Sequence, residues 1–346
     1  MTAQQGNGLR VAVVGATGAA GSTVLRILHE RRFPIAEFRA LASARSAGTT
    51  VKLGEAEHTV AEVSDGALRG CDLVFFAAGS GTARRFAPVV AEQGGVAIDK
   101  SSAYRMDPAV PLIVPEVNGD EVTGEPGIVA NPNCVAIPLT VALNPLHRAF
   151  GLRHLTVATY QSASGGGRNL VGELRAQEVA DAEGREPEHP VYPHVLHGNV
   201  VPGGWSMHGL DNDEEVKVVQ ETRRVLGLPE LRVSVSTVRV PVAVGHSGAV
   251  WAEFDTPADL DRARELLSTA PGVRYVDDPE AQQYPTPRSA AGTDDVWVGR
   301  LRPDAGNPGG LAFFWSADNL RKGAATNAVQ VGELVLARRR AGAPVA

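Results

Sequence analysis

Near its start the chain reads "VAVVGATGAAGSTVLRIL", residues 11 to 28, where a short apolar run meets Gly15, Gly18 and Gly21 and then a helical pattern. A strand that turns through glycines straight into a helix is a strong constraint. It leaves backbone amides and a helix N-terminus free to approach an anion closely. The spacing is G-x-x-G-x-x-G rather than G-x-G-x-x-G, and a glycine triplet alone also suits a tight turn without a ligand. The following residues favour the anion reading. "EFRALAS", "CDLVFFA", "GVAIDKS" and "GIVAN" read as strands, with helix patterns such as "ARRFAPVVAEQ" between them. Strand and helix in alternation predict a parallel sheet with helices on its faces. Residues 1–133 are therefore expected to form a Rossmann-type dinucleotide-binding domain.

From about residue 153 the pattern changes. "HLTVATYQS", "LRVSVSTVRVPV", "SGAVWAEF", "DVWVGRLR" and "GLAFFWSA" are longer and alternate more clearly, as in a mainly antiparallel sheet. Helices are predicted at 167–183, 212–226 and 257–269. A second, α+β domain over 134–318 follows, with a last helix over 319–340 returning to the first domain. The length of 346 residues suits two such domains, and 43% hydrophobic content supplies their cores.

A formal charge of -6 without long Lys/Arg runs argues against nucleic acid or an anionic membrane as the main partner. Small molecules are expected instead. The opening "MTAQQGNGLRVAVVG" lacks the pattern of a secretory leader, and no apolar run approaches membrane-spanning length. This predicts a cytoplasmic protein. Two cysteines, Cys71 and Cys134, make no disulfide framework. Cys71, at the head of "CDLVFF", reads as inert core.

The glycine loop, with Gly15, Thr17, Gly18, Ala19 and Ala20, is the candidate pyrophosphate cradle. The next strand ends in "LASARSAG", where an NAD site would offer an acidic residue to the ribose. This chain offers Ser43, Arg45 and Ser46, which suit a 2'-phosphate and make NADP(H) the expected cofactor. A solvated arginine in a surface loop is the plainer reading of Arg45.

In "IVANPNCVAIPL" the second thiol follows an Asn-Pro-Asn turn and opens a helical run. A helix N-terminus favours the thiolate, so Cys134 is a candidate nucleophile, with a small residue beside a helix cap as the alternative. "NPNC" is followed by "TYQSASGGG", "DEEVK" and "VRVPVAVGH", behind "GATGAAG", and accompanied by "ASARSAG", "DKSSAYRMD", "PEVN" and "DNLRKGAA". In this order and spacing, over residues 9 to 335, the motifs resemble the aspartate-semialdehyde dehydrogenases. That resemblance implies NADPH-dependent reduction of L-4-aspartyl phosphate to L-aspartate 4-semialdehyde, on the route to lysine, threonine and methionine. It also implies a homodimer formed through the second domain, which in some members pairs into a tetramer.

Carried over by position, the resemblance makes Cys134 the nucleophile that forms an acyl-thioester, Gln161 a polar neighbour that orients the substrate, and His246 the general acid/base. Arg239 would hold the substrate carboxylate and Glu214 its amino group. Arg105, Asn133 and Lys217 would receive the phosphate. Ser164, Gly165 and Asn319 would line the nicotinamide side of the cofactor site. Reducing an acyl phosphate needs a soft nucleophile, a proton donor, anion receptors and a hydride source, and these residue types supply them. Singly, each has a plainer reading: Glu214 and Lys217 as a solvated ion pair on one helix face, His246 as a structural histidine, and Arg105 as a surface loop residue.

The loop "QSASGGGRN", with Gly166, Gly167 and Arg168, departs from the family pattern, so substrate preference is less tightly implied than reaction type. His189, His194 and His197 lie in a Pro-rich stretch whose spacing fits no helix-borne pair, and no metal site is expected from them. Two rivals remain at this point: a reductase of an N-acylglutamyl phosphate, and a non-catalytic NADP-binding sensor. An acylated amine would give Glu214 no positive charge to meet. A sensor would be expected to lose the thiol or the histidine, and both are present.

Overall fold

The computed structural model describes residues 8–342. The chain divides into two compact units, residues 1–132 with 324–346, and residues 133–323.

In the first unit, β1 (Leu9–Val14), α1 (Ala19–Glu30), β2 (Ile35–Ala42), β3 (Ala61–Glu62), β4 (Leu73–Phe76), α2 (Ser80–Glu92), β5 (Val96–Asp99) and β6 (Gly127–Ala130) follow one another. The strands form one sheet in the order β3-β2-β1-β4-β5-β6, and every neighbouring pair is parallel. This order reverses direction at β1, the point where open α/β sheets bind ligands. Val11–Val14 of β1 form a continuous apolar run because both faces are covered there. Val11 and Val13 enter one core with α1 and the C-terminal helix Thr326–Gly342, while Ala12 and Val14 enter another with α2. Cys71 lies two residues before β4 rather than in it. It is buried, and burial pushes its thiol pKa up, which suits an inert core position.

The second unit contains α3 (Ala136–Phe150), β7 (Leu152–Gln161), α4 (Arg168–Ala182), β8 (Val201–Pro202), α5 (Asp213–Leu226), β9 (Arg232–Arg239), β10 (His246–Phe254), α6 (Leu260–Thr269), β11 (Val273–Tyr275), β12 (Val296–Pro303) and β13 (Leu311–Ala317). Its sheet runs β8-β9-β7-β10-β13-β12-β11. Four of the six pairings are antiparallel, but β9 lies parallel to β7 and β11 parallel to β12, so the sheet is mixed. Helix α5, between β7 and β9, is the crossover that a parallel pair requires.

The helix expected to start at Asn319 divides. Asp318 Oδ1 accepts from the backbone N–H groups of Leu320 and Arg321, and Gly323 N–H bonds to Asp318 O five residues back. That spacing produces a π-helical turn, Arg321–Ala325, before the α-helix begins at Thr326. Among the described residues, no helix is long and apolar enough to cross a membrane.

Candidate active site

In the first unit the glycine loop is built for close backbone approach. Gly15 has φ +84°, and a Cβ there would lie 2.9 Å from the carbonyl carbon and oxygen of Ala77. A Cβ on Gly21 would lie 2.0 Å from Gly15 O, so only glycine lets α1 start against the end of β1. Gly18 caps α1 with backbone alone, and among the described residues no side-chain cap bond is made at the start of this helix, at Ala19, Ala20 and Gly21. Such amides and the helix dipole together suit a phosphate. Thr17 Oγ1 reaches Ser46 Oγ at 3.4 Å, linking the loop to the short turn Ala44–Ser46 beyond β2. Ser43 and Arg45 are exposed on that turn. Arg105 is only 9% exposed, with Nε on Asn131 O at 3.0 Å and Nη2 on Lys100 O at 2.6 Å. Its guanidinium is therefore oriented by carbonyls rather than trailing in a surface loop.

In the second unit, strand register gathers the polar side chains. Arg239 at the end of β9 pairs with Gln161 at the end of β7. Ser247 faces Tyr160 across β7 and β10, so His246 stands level with Gln161 on the other side. Three adjacent strands thus bring a guanidinium, an amide and an imidazole to one edge of the sheet. All three residues are 2% exposed or less. Each has a buried atom without a hydrogen-bond partner among the described residues: Arg239 Nε, Gln161 Oε1 and His246 Nε2. Buried polar atoms are normally satisfied, so three orphans at one edge mark a place where a polar ligand completes the structure.

The protonation of His246 follows from geometry. Its Nδ1 accepts the backbone N–H of Ser162 at 3.0 Å. A backbone N–H can only donate, so the proton of the neutral ring sits on Nε2, the orphaned atom. Burial, helped by the charge of Arg239, holds the His246 pKa well below its usual 6.5 and keeps the ring neutral. Asn319 fixes the surroundings: its Oδ1 accepts from Ser162 Oγ at 3.1 Å, Ser164 Oγ at 2.9 Å and Gly245 N–H at 2.9 Å. Gly165 is exposed, and a Cβ on it would lie 2.9 Å from Arg239 Nη1 and 3.1 Å from His246 Nε2. Glycine here avoids crowding both donors.

Cys134 precedes α3. Asn133 O accepts the N–H of Ile137, the first helical bond, and Asn133 Oδ1 accepts the N–H of Val135 at 2.8 Å. These bonds make a turn that leads into α3, and Cys134 lies in that turn beside the helix N-terminus, where the dipole favours a thiolate. The thiol is half-buried. The π-helical turn approaches it closely, since a Cβ on Gly323 would lie 3.4 Å from Cys134 Cβ.

Glu214 links these groups. Its Oε2 accepts from Asn133 Nδ2 at 3.0 Å and Gln161 Nε2 at 3.3 Å, and its Oε1 accepts from Lys217 Nζ at 2.6 Å. Burial works to raise the Glu214 pKa, but the Lys217 ammonium and the Asn133 amide outweigh it and hold the carboxyl below its usual range. For Lys217, burial is opposed by Glu214 and Asp213, and its pKa is raised. This ion pair is largely buried, unlike a pair on a solvated face.

Two contributors were not singled out in the sequence. Ser162, which sets the His246 tautomer, directly follows Gln161 at the end of β7. Glu221 accepts the backbone N–H of Asn133 and lies seven residues beyond Glu214 on α5, a helical spacing that could have revealed it. His197 Nε2 lies 3.4 Å from Asp181, and His189 Nδ1 3.2 Å from Tyr192 O. Among the described residues, no group of three or more His, Cys, Asp or Glu is arranged to hold a metal.

Residues 143–322 match the family model for the semialdehyde dehydrogenase dimerisation domain, and residues 10–124 that for the semialdehyde dehydrogenase NAD binding domain. The chain is 43% identical to the aspartate-semialdehyde dehydrogenase of Synechocystis sp., over 95% of its own length and 98% of that protein. It is 47% identical to that of Streptomyces akiyoshiensis, over 95% and 99%. Among solved structures, aspartate semialdehyde dehydrogenase II from Vibrio cholerae is similar with a TM-score of 0.92 and 37% identity, covering 96% of this chain and 99% of that one.

Proposed function

This chain belongs to the aspartate-semialdehyde dehydrogenase family, and from that premise we infer that it reduces L-4-aspartyl phosphate to L-aspartate 4-semialdehyde and phosphate with NADPH. The observation that carries the chemistry is the edge where Gln161 Oε1, Arg239 Nε and His246 Nε2 are buried without partners. The Cys134 thiolate attacks the acyl carbon. A C–S bond forms, the bond from that carbon to the phosphate oxygen breaks, and phosphate leaves. NADPH, when bound, supplies the hydride that reduces the thioester. His246, neutral with its proton on Nε2, donates a hydrogen bond to the carbonyl oxygen as negative charge grows there, which is the donor half of an acid/base role. Re-forming the carbonyl expels the Cys134 thiolate and releases the aldehyde.

Arg239 receives the substrate carboxylate, and the ionised Glu214 faces its ammonium. Lys217 and Arg105 receive the phosphate, with the second N–H of the Asn133 amide as a further donor. The glycine cradle from Gly15 to Gly21 takes the pyrophosphate, Arg45 with Ser43 and Ser46 takes the 2'-phosphate, and Ser164, Gly165 and Asn319 lie on the nicotinamide side. Domain limits of 1–133 and 134–318 remain our functional division, with the C-terminal helix Thr326–Gly342 added to the first. The match to a dimerisation domain supports a homodimer. Free thiols at Cys71 and Cys134 support a cytoplasmic setting.

The decisive assay is the reverse reaction. Aspartate semialdehyde should drive NADP reduction only when phosphate is present, and an N-acylglutamate semialdehyde should be turned over far more slowly. Phosphate-independent reduction, or preference for the acylated aldehyde, would overturn the assignment.

A further inference from the structure

Helix α5 carries a further acidic side chain on the face that bears Glu214 and Lys217. Glu221 is two turns beyond Glu214 and 2% exposed. Packing alone does not call for a carboxylate here: its buried companions on the helix include Val218, Thr222 and Val225, where an apolar residue would serve as well. Burying an acidic side chain is costly unless it makes a hydrogen bond that matters.

Glu221 Oε2 accepts the backbone N–H of Asn133, a contact between residues 88 positions apart. Asn133 lies in the turn that leads into α3. Its own Oδ1 serves Val135 N–H, and its Nδ2 is bound to Glu214, but no side chain of the turn accepts its own N–H. A buried N–H at a helix start needs an acceptor from outside the helix. The residue immediately before Cys134 is therefore held at its backbone N, its Oδ1 and its Nδ2, with two of the three anchors supplied by α5.

We propose that Glu221 is a positioning residue for the nucleophile: acting through the Asn133 backbone, it holds Cys134 in the turn that leads into α3. The inference rests on the reading of Cys134 as the thiol that forms the thioester. What it requires of Glu221 is a hydrogen-bond acceptor of the right length, not a charge. Two substitutions separate acceptor from charge. Glu221→Ala removes both, whereas Glu221→Gln keeps one acceptor oxygen in the same reach while losing the charge and exchanging the other oxygen for an NH2 donor.

The experiment measures steady-state kinetics in the reverse direction, NADPH binding, and the rate at which iodoacetamide alkylates Cys134 in the protein without substrate, located by mass spectrometry. For Glu221→Ala, kcat should fall about tenfold to a hundredfold while the KM for semialdehyde stays within about twofold, since the displaced group is a reacting one. Alkylation of Cys134 should slow in parallel, and NADPH binding should be unchanged. Glu221→Gln should recover kcat and alkylation to within about threefold of the parent. A glutamine variant as impaired as alanine would overturn the proposal, as would a fall in kcat with unchanged alkylation or with the semialdehyde KM rising in step. Should the alanine variant fail to fold, the glutamine variant decides alone, since retained activity supports the acceptor role and lost activity rejects it. Alkylation reads the thiol directly, so an active Cys134→Ala enzyme would refute the thioester mechanism without being confused with this test.

Discussion

The glycine loop of the first unit and the polar edge of the second are built in opposite ways. The loop works through what its residues lack: Gly15 and Gly21 leave space that a single Cβ would fill, and the groups offered to a ligand are backbone amides. The edge works through what its residues carry, with Gln161, Arg239 and His246 buried and each retaining an unpartnered atom. One site should fail when atoms are added, the other when they are taken away. The difference also explains why the loop can be read from a few consecutive letters while the edge draws on residues spread from 134 to 319.

The sharpest test of subtraction is Cys134→Ala. Losing the nucleophile should reduce turnover by roughly 10⁴-fold or more, while NADPH binding is retained, because the thiol makes the covalent intermediate and holds no cofactor. Mass spectrometry of acid-quenched enzyme with acyl phosphate should place the adduct on Cys134. Gly21→Ala is the matching addition. With its Cβ directed 2.0 Å from Gly15 O, the loop must move, and NADPH affinity should fall on the order of a hundredfold, since about an ångström of displacement has that effect elsewhere. Iodoacetamide should still alkylate Cys134 at the parental rate. Slowed alkylation would show that the two sites do not fail independently.

Arg239→Lys probes whether the edge depends on shape as well as charge. A lysine keeps the charge but loses the planar two-point grip on a carboxylate, so kcat/KM for the semialdehyde should drop roughly thirtyfold with the phosphate KM little changed. A selective rise in the phosphate KM would mean that the carboxylate and phosphate receptors have been assigned the wrong way round. Arg45→Ala tests the exposed end of the cofactor region. Losing one charge-assisted contact there should raise the NADPH KM about tenfold and leave NADH use almost unaffected. Equal losses for both cofactors would remove the 2'-phosphate assignment.

The parallel character of the first sheet was legible because each strand and helix announces itself in turn, and both-face burial makes Val11–Val14 of β1 uniformly apolar. The second sheet was less so. Alternation marks its strands but does not encode their neighbours, and the parallel pairing of β9 with β7 is what sets Arg239 beside Gln161. The start of the last helix was misjudged because the Asp318 side chain diverts the chain into a π-helical turn. Nor could the letters around Asn133 show that its backbone N–H is served by Glu221, since that contact depends on how α5 packs.

The smallest effect concerns stability rather than turnover, and it separates a buried titratable side chain from a backbone cradle that does not titrate. His246 in the fold has a pKa well below its unfolded value near 6.5, through burial and the charge of Arg239. Above pH 6.5 the ring is neutral in both states and costs nothing. As the pH falls from 6.5 towards the lower folded value, the unfolded chain takes up a proton that the folded ring refuses. Stability is then lost at no more than about 1.4 kcal/mol per pH unit, the limit for one proton. Other groups shift too; Asp99, buried in the first unit with a raised pKa, acts in the opposite sense as pH rises. The measurement must therefore be a difference between the parent and a variant that does not titrate. His246→Asn suits this purpose because its Oδ1 can replace Nδ1 as acceptor for the Ser162 N–H. Denaturant unfolding at pH 7.5 and pH 5.5 should show the parent losing about 1 kcal/mol more than the variant across that interval. An identical loss in both proteins would mean that His246 is not held neutral, and the tautomer argument for a proton on Nε2 would fall with it.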